Sequence, residues 1–278
     1  MPTITVENHQ LHYITAGNPQ NPAILMLHGW GSYHGVWKNS MEALQNTHYC
    51  VAIDHLGFGH SDKPDKADYS IRAQAGRALK VMDELRFSPF SVMGHSMGAQ
   101  IGMLMASELA PERITRLVNV GGVVTGRLSG YARHVVFPTV KLGHLLPSAY
   151  IIPNLLLNNK LYARYLHGSW FYKMNSVPFA SWETDRKMAR QQAGAHSVYW
   201  AGIAIKSCDL TTSLPKISTE TLIIFGKYDG TVPISDGELA HQHIPNNQIV
   251  WIDDCGHFPM YEKPTAYLGA ITQFFGTL

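Results

Sequence analysis

Residues 90–102 read F-S-V-M-G-H-S-M-G-A-Q-I-G, in which a serine lies between two glycines, after a short apolar run and before a run typical of a buried helix. A serine at such a strand-to-helix turn has a strained backbone, and side chains two residues before and after it would crowd the turn. Gly94 and Gly98 occupy those two positions. The turn would raise the Ser96 hydroxyl above the C-terminal edge of a sheet, at a helix N-terminus, where open α/β sheets bind ligands.

Short, continuous apolar runs recur along the chain and indicate strands that are buried on both faces, as in a parallel sheet. These runs lie at 23–27, 49–53, 90–93, 117–120, 221–225 and 249–252. The first fifteen residues alternate instead, which predicts a β-hairpin. Helical patterns are found at 70–86, 97–109, 235–244 and 262–275. This alternation of strands and helices predicts an α/β fold with a mainly parallel sheet.

The alternation breaks between residues 126 and 206, which contain helical patterns and no strand-like run. Because the sheet pattern resumes afterwards, we interpret 126–206 as an insertion in a core domain formed by 1–125 and 207–278. The insertion is rich in aromatic residues, which could line a substrate pocket or pack the inserted helices on each other, and both readings stay open. Its aromatic residues include Tyr131, Trp170, Phe171, Trp182 and Trp200.

Composition and charge exclude several classes of protein. The formal net charge is +2, without blocks of like charge, and this is too weak for a nucleic-acid-binding surface. No apolar run reaches the roughly 18 residues of a membrane span, and the N-terminus does not resemble a signal peptide. Three widely spaced cysteines are typical of reduced thiols, so we expect a cytoplasmic protein. Fifteen histidines are scattered along the chain, with no H-E-x-x-H or C-x-x-C metal motif.

A serine hydroxyl is a poor nucleophile at neutral pH, so Ser96 requires a general base and an acid that orients this base. In a strand–turn–helix context the acid and then the histidine should follow, each just after a strand. Asp229 follows the run T-L-I-I-F-G, and His257 follows the last run, I-V-W-I. The acids that fit the first position less well are Asp209, Asp253 and Asp254.

The same chemistry requires N–H groups that point at a developing oxyanion. The backbone N–H of Met97, directly after the serine, is one candidate. The second should come from the loop L-H-G-W-G after the run at 23–27, where Trp30 is the candidate. We expect His28 and Gly29 to shape this loop. A turn-shaping role is likewise expected for Asp54, Gly57 and Gly59.

Taken together, these motifs resemble the α/β-hydrolase fold family in its esterase and lipase-like branch. The matching segments are H-G-W-G at 28–31, D-H-L-G-F-G-H-S-D-K-P at 54–64, G-H-S-M-G at 94–98, G-K-Y-D at 226–229 and G-H-F-P-M-Y-E-K-P at 256–264. The resemblance implies a mainly parallel eight-stranded sheet flanked by helices, with 126–206 as a helical lid. It also implies a Ser96–Asp229–His257 triad that needs no metal or cofactor. One departure is Ala99-Gln100, where the family often has glycine.

The resemblance implies a serine hydrolase that acts on small to medium, uncharged carboxylic esters through an acyl-enzyme. Other functions on the same fold remain open: a C–C bond hydrolase, a lactonase, a perhydrolase, a hydroxynitrile lyase or a non-catalytic ligand receptor. Dehalogenases and epoxide hydrolases of this fold are disfavoured, because they carry aspartate in place of Ser96. We expect a small-molecule ester as the partner and no nucleic acid, and the oligomeric state stays open.

Overall fold

The computed structural model describes residues 2–146, 168–173, 177, 182–183 and 196–276. Its strands are β1 (Thr3–Val6), β2 (His9–Ala16), β3 (Ala23–Leu27), β4 (Tyr49–Ile53), β5 (Phe90–His95), β6 (Ile114–Val120), β7 (Glu220–Gly226) and β8 (Asn247–Ile252). Its helices are α1 (Lys38–Leu44), α2 (Ile71–Glu84), α3 (Met97–Leu104), α4 (Phe137–Leu145), α5 (His196–Lys206), α6 (Ile234–His243), α7 (Pro259–Glu262) and α8 (Pro264–Phe275).

All eight strands form one sheet in the order β1-β2-β4-β3-β5-β6-β7-β8. The β1–β2 and β2–β4 pairs are antiparallel, and every later pair is parallel. The mainly parallel eight-stranded sheet inferred from the sequence is therefore confirmed. Because β4 lies on one side of β3 and β5 on the other, the loops after β3 and β5 leave a crevice at the point where the strand order reverses.

Apolar side chains cover both faces of the sheet, which explains the continuous apolar runs. In β3, Leu25 and Leu27 join the cluster that contains the buried residues of α2 and α3. Ile24 and Met26 point the other way and join the cluster that contains residues of α1 and α8. Side chains alternate between the faces of a strand, so a strand that is covered on both faces must be apolar throughout.

Two helices differ from the sequence-based boundaries. The helical pattern at 97–109 is α3 followed by a π-helical turn, Met105–Leu109. The pattern at 262–275 is divided between α7 and α8, and Pro264 is the first residue of α8. Lys263 has φ −136° and ψ 55°, outside the helical region. The cause is Pro264, because a proline disfavours the helical conformation in the residue before it.

The described part of the 126–206 insertion contains α4, α5 and a π-helical turn at Ala132–Val136, and no strand. Ser197 at the start of α5 donates a hydrogen bond to the Gly57 carbonyl oxygen (2.8 Å), so this end of the insertion contacts the core. One of the helical patterns in the insertion, N-N-K-L-Y-A-R-Y-L-H at 158–167, lies outside the described residues, and the domain boundaries stay a prediction. Among the helices described, none is long and apolar enough to cross a membrane.

Candidate active site

Ser96 forms the turn between β5 and α3. Its backbone has φ 55° and ψ −115°, in a region that residues other than glycine rarely adopt. The Ser96 N–H donates to the carbonyl oxygen of Val120 on the neighbouring strand (2.9 Å), which holds the turn at the edge of the sheet. Strain of this kind persists only where the surrounding structure enforces it, and it occurs most often at functional sites.

The glycines on either side of the serine allow this turn. A Cβ atom at Gly98 would overlap the carbonyl oxygen of Leu27 at the end of β3, and one at Gly94 would lie 2.5 Å from the Ala99 backbone nitrogen. These neighbours are backbone atoms, so they cannot rotate away as a flexible side chain could. Both positions therefore require glycine if β5, the turn and α3 are to pack together.

His257 and Asp229 form a buried pair after β8 and β7. The His257 Nδ1 atom lies 2.7 Å from Asp229 Oδ2. The other carboxylate oxygen, Oδ1, accepts the backbone N–H groups of Thr231 (2.8 Å) and Val232 (2.9 Å), which fixes the carboxylate plane. A carboxylate that accepts from Nδ1–H places the imidazole proton on Nδ1, so Nε2 retains the lone pair that a general base needs.

His95 connects the serine turn to the histidine loop. Its Nε2–H donates to the His257 carbonyl oxygen (2.9 Å), and the two ring centroids are 4.7 Å apart. Burial, reinforced by the nearby His257, holds the pKa of His95 well below its ordinary value, so the ring is neutral. Sequence reasoning missed this contact, because its only signal was a histidine at the variable position of G-x-S-x-G.

The loop after β3 approaches the serine closely. A Cβ atom at Gly29 would lie 3.1 Å from Ser96 Cβ and 2.9 Å from His95 Nδ1. The His28 ring donates from Nδ1 to the Gly29 carbonyl oxygen (2.8 Å) and accepts at Nε2 from the N–H of His55 (3.0 Å). Burial lowers the pKa of His28 to about 4, so it is neutral and bound to backbone at both nitrogens.

Two backbone N–H groups near the serine are free to donate. Met97 is the first residue of α3, and Trp30 lies in the loop after β3. In the part of the chain that the structure describes, neither N–H donates to a protein acceptor. The Trp30 indole donates from Nε1 to the Val198 carbonyl oxygen of α5 (2.7 Å), which fixes the loop against the insertion.

Glu262 stabilises the loop that carries His257 by accepting two hydrogen bonds. One of its carboxylate oxygens accepts the Gly256 N–H (2.7 Å) and the other accepts the Tyr172 N–H (2.8 Å). Burial raises the pKa of Glu262, and the two backbone donors oppose the rise. The His257 N–H also donates to the Trp170 carbonyl oxygen (2.8 Å). Sequence reasoning missed this role, although Glu262 stands in the quoted segment G-H-F-P-M-Y-E-K-P.

Aromatic residues of the insertion contact both each other and a loop of the core, as in the Phe171–Trp182 pair, whose ring centroids are 5.6 Å apart. Phe171 and Trp182 are buried in the core cluster that also contains Phe258, the residue after His257. The Trp170 and Phe258 ring centroids are 4.9 Å apart. Trp200 is 43% exposed on α5. Trp170 and Phe171 therefore pack on the histidine loop of the core.

The fold and this arrangement define a class: an α/β protein with a strained serine after β5 and an Asp–His pair after the last two strands. The chain belongs to the alpha/beta hydrolase fold family, whose sequence model matches residues 22–264. The resemblance drawn from the sequence motifs is thus confirmed.

Several members of this family are similar to the chain over nearly all of its length. A pimeloyl-[acyl-carrier protein] methyl ester esterase of Nitrosomonas europaea is 26% identical, over 93% of this chain and 96% of the relative. A cis-3-alkyl-4-alkyloxetan-2-one decarboxylase of Shewanella oneidensis is also 26% identical, over 96% of this chain and 85% of the relative. The solved enol-lactonase from Burkholderia xenovorans LB400 shares the fold with a TM-score of 0.82, at 23% identity over 99% of both chains.

Proposed function

We propose that this member of the hydrolase family is a serine esterase that cleaves small to medium, uncharged carboxylic esters. The observation that carries the proposal is the 2.7 Å contact between His257 Nδ1 and Asp229 Oδ2, at the same sheet edge as the strained Ser96. A hydroxyl, a base and an orienting carboxylate are the three groups that acyl transfer requires, and Ser96, His257 and Asp229 would supply them.

In the proposed reaction, Ser96 Oγ attacks the ester carbonyl carbon while His257 Nε2 takes the hydroxyl proton. The resulting oxyanion accepts hydrogen bonds from the backbone N–H groups of Met97 and Trp30. The C–O bond then breaks, and His257 gives its proton to the departing alcohol. A water molecule repeats the sequence on the acyl-enzyme and releases the acid, so no metal or cofactor takes part.

Two observations support an ester bond as the substrate. The esterase of Nitrosomonas europaea resembles this chain over nearly the full length of both proteins. Dehalogenases of this fold attack with an aspartate, and this chain has serine at position 96. A cyclic ester is the second candidate, because the Shewanella oneidensis relative is named for a substrate that contains a four-membered lactone ring.

We also propose a cytoplasmic location, which the three unpaired cysteines support.

A covalent probe tests the nucleophile directly. The full chain is treated with a fluorophosphonate, digested and analysed by mass spectrometry. We expect a single adduct on Ser96 and loss of labelling in Ser96→Ala. Labelling of another serine, or unchanged ester turnover by Ser96→Ala, would contradict the proposal.

The substrate class is tested with p-nitrophenyl esters of two to twelve carbons in parallel with β- and γ-lactones. We expect the highest kcat/KM on esters of short or medium chain length. A preference of tenfold or more for a lactone would select the second candidate. A Ser96 adduct without turnover of any ester or lactone would indicate a C–C hydrolase or a non-catalytic receptor.

A further inference from the structure

A second cluster of titratable side chains lies around Asp54, at the end of β4, and takes no part in the proposed reaction. Asp54 is fully buried. Its Oδ2 atom lies 3.0 Å from His12 Nδ1 on β2 and 3.0 Å from His34 Nδ1 in the segment after β3. The backbone N–H of His34 donates to Asp54 Oδ1 (2.6 Å). Three separate segments of the chain thus meet at one carboxylate.

The three side chains have the spacing of a metal site. One ligand atom from each of His12, His34 and Asp54 lies within 4.8 Å of the others, a property found by searching the described residues. Metal–nitrogen and metal–oxygen bonds are about 2.1 Å long, so adjacent ligand atoms lie about 3.0 Å apart in octahedral and about 3.4 Å apart in tetrahedral geometry. The two 3.0 Å distances to Asp54 Oδ2 match the spacing of octahedral ligands. Both distances would have to lengthen slightly to match tetrahedral ligands.

Both imidazoles direct their Nδ1 atoms at the same oxygen of the Asp54 carboxylate. Its Oδ2 atom is approached by the two imidazole Nδ1 atoms and by the backbone N–H of His60 (2.9 Å). His34 Nδ1 also lies 3.1 Å from Oδ1, which accepts the His34 backbone N–H as well, so four nitrogen atoms surround the roughly four lone-pair sites of the carboxylate. His12 is 1% exposed, and its second ring nitrogen, Nε2, is buried with no hydrogen-bond partner among the described residues.

A fourth group is available at the rim. The His60 ring centroid is 5.0 Å from that of His12 and 5.7 Å from that of His34. His60 is exposed, and the His34 side chain is 14% exposed, so an ion could enter from solvent on this side. The group therefore offers two or three imidazoles and one carboxylate, a set that suits zinc, nickel or copper better than magnesium or calcium.

We propose that His12 Nδ1, His34 Nδ1 and Asp54 Oδ2 bind a divalent transition-metal ion of the zinc type, with the His60 imidazole or water in the remaining position. Each neutral imidazole binds through the Nδ1 lone pair and carries its proton on Nε2. The ion replaces two of the three hydrogen bonds to Asp54 Oδ2 and leaves the one from the His60 N–H. It ties β2, the segment after β3 and the turn after β4 together.

The position of His34 gives the ion a structural consequence. His34 follows the loop that contains His28, Gly29 and Trp30, so a bound ion would fix the end of that loop. The ion has a structural role, because it links three segments of the core, and it does not contact the proposed triad. We expect it to raise Tm, because a ligand that binds only the folded state stabilises that state.

The test uses the full chain, stripped with a chelator and dialysed. Titration with ZnCl₂ in a calorimeter should show one ion per chain with Kd below about 10 µM, and Tm should rise, whereas MgCl₂ should do neither. In His34→Ala the backbone N–H to Asp54 is kept, and we expect zinc affinity to fall tenfold or more. The control His243→Ala, at an exposed histidine on α6, should bind zinc as the parent does.

Cobalt(II) provides a readout that does not depend on stability. We expect a d–d absorption band in the parent that is lost in His34→Ala and, should that variant fail to fold, in His34→Gln. Absence of a stoichiometric zinc ion would overturn the proposal. Equal zinc affinity in the parent and the His34 variants would overturn it too, since the ion would then be bound by other histidines.

Discussion

The Asp229 carboxylate uses its two oxygens for different partners. Oδ1 accepts the N–H groups of Thr231 and Val232, while Oδ2 faces His257 Nδ1. Because backbone N–H groups cannot change from donors to acceptors, the orientation of this side chain is set by its own loop. The loop therefore decides which atom faces the histidine.

Asp229→Asn is expected to abolish most of the activity. The Asn oxygen must stay with the two backbone donors, so its NH₂ group would face His257 Nδ1. That interaction places the imidazole proton on Nε2, where it cannot accept the serine proton. We expect kcat for p-nitrophenyl butyrate to fall about 10³–10⁴-fold with little change in KM, by analogy with the same change in other Ser–His–Asp enzymes.

The matched control is Asp253→Asn, at the residue directly after β8. Asp253 is 78% exposed and pairs with Lys227 at the surface. Its kcat should stay within a factor of two of the parent value. Equal losses in the two variants would mean that the carboxylate of Asp229 has no specific role in orienting the histidine.

For single residues, the sequence predicted the site residues that directly follow a strand. It missed the residues whose role depends on a contact with a distant part of the chain. Ser96, Asp229 and His257 were found because each comes just after a buried strand. His95 and Glu262 act on backbone atoms, and nothing in their spacing reveals this. The His12–Asp54 contact joins residues 42 positions apart, so no local metal motif exists.

At the scale of elements, the β5–turn–α3 unit depends on a close approach between β3 and α3. Gly98→Ala would place a methyl group on the Leu27 carbonyl oxygen, and neither backbone can yield without separating the strand from the helix. We expect the free energy of unfolding to fall by about 3 kcal/mol or more in urea denaturation. Labelling of Ser96 by a fluorophosphonate should fall as well.

Gly76→Ala is the control for that substitution. Gly76 lies inside α2, and a Cβ atom there would meet no other atom within 4 Å. Alanine is favoured over glycine in a helix by about 1 kcal/mol, so this variant should be slightly more stable than the parent. Should both variants lose stability alike, the clash with Leu27 would not be the cause.

The loop between β8 and α7 depends on Glu262. Glu262→Gln leaves one oxygen for two backbone donors, so either Gly256 or Tyr172 would face an NH₂ group. An unpaired buried N–H costs about 1–3 kcal/mol, and the loop that carries His257 should shift to avoid it. We expect a tenfold or greater fall in kcat, measured together with urea denaturation.

The exposed Glu238 on α6 provides the comparison for Glu262. Glu238→Gln should change neither kcat nor the urea midpoint. If Glu262→Gln lowered stability but left kcat unchanged, Glu262 would stabilise the fold without positioning His257.

Element types were predicted more reliably than their ends and their partners. Apolar patterns identified every strand of the described sheet: alternation predicted β1 and β2, and continuous apolar runs predicted β3 to β8. The end of α7 was missed, since the effect of Pro264 acts on the residue before it. The contacts of Trp170 and Phe171 with Phe258 could not be predicted, because they join the insertion to a core loop that is distant in sequence.

The buried histidines make the stability of the whole molecule depend on pH. His28, His55 and His95 are neutral in the core, and burial is the main reason that the pKa of each is lowered. In the unfolded chain the same imidazoles are solvated and regain ordinary pKa values, near 6.5. Below that pH the unfolded chain therefore binds more protons than the folded one, and stability falls as pH falls.

We expect the free energy of unfolding to decrease steadily from pH 7 to pH 5. For His28, the folded pKa is about 4 and the ordinary value is 6.5. Protonation of the unfolded chain then removes about 2 kcal/mol by pH 5, at about 1.4 kcal/mol per pH unit below 6.5. His28→Asn, which cannot ionise, should show a pH-dependent loss smaller by that amount in urea denaturation, whereas the exposed His243→Asn should match the parent. A His28→Asn variant with the full parental loss would show that burial of this imidazole does not set the pH dependence.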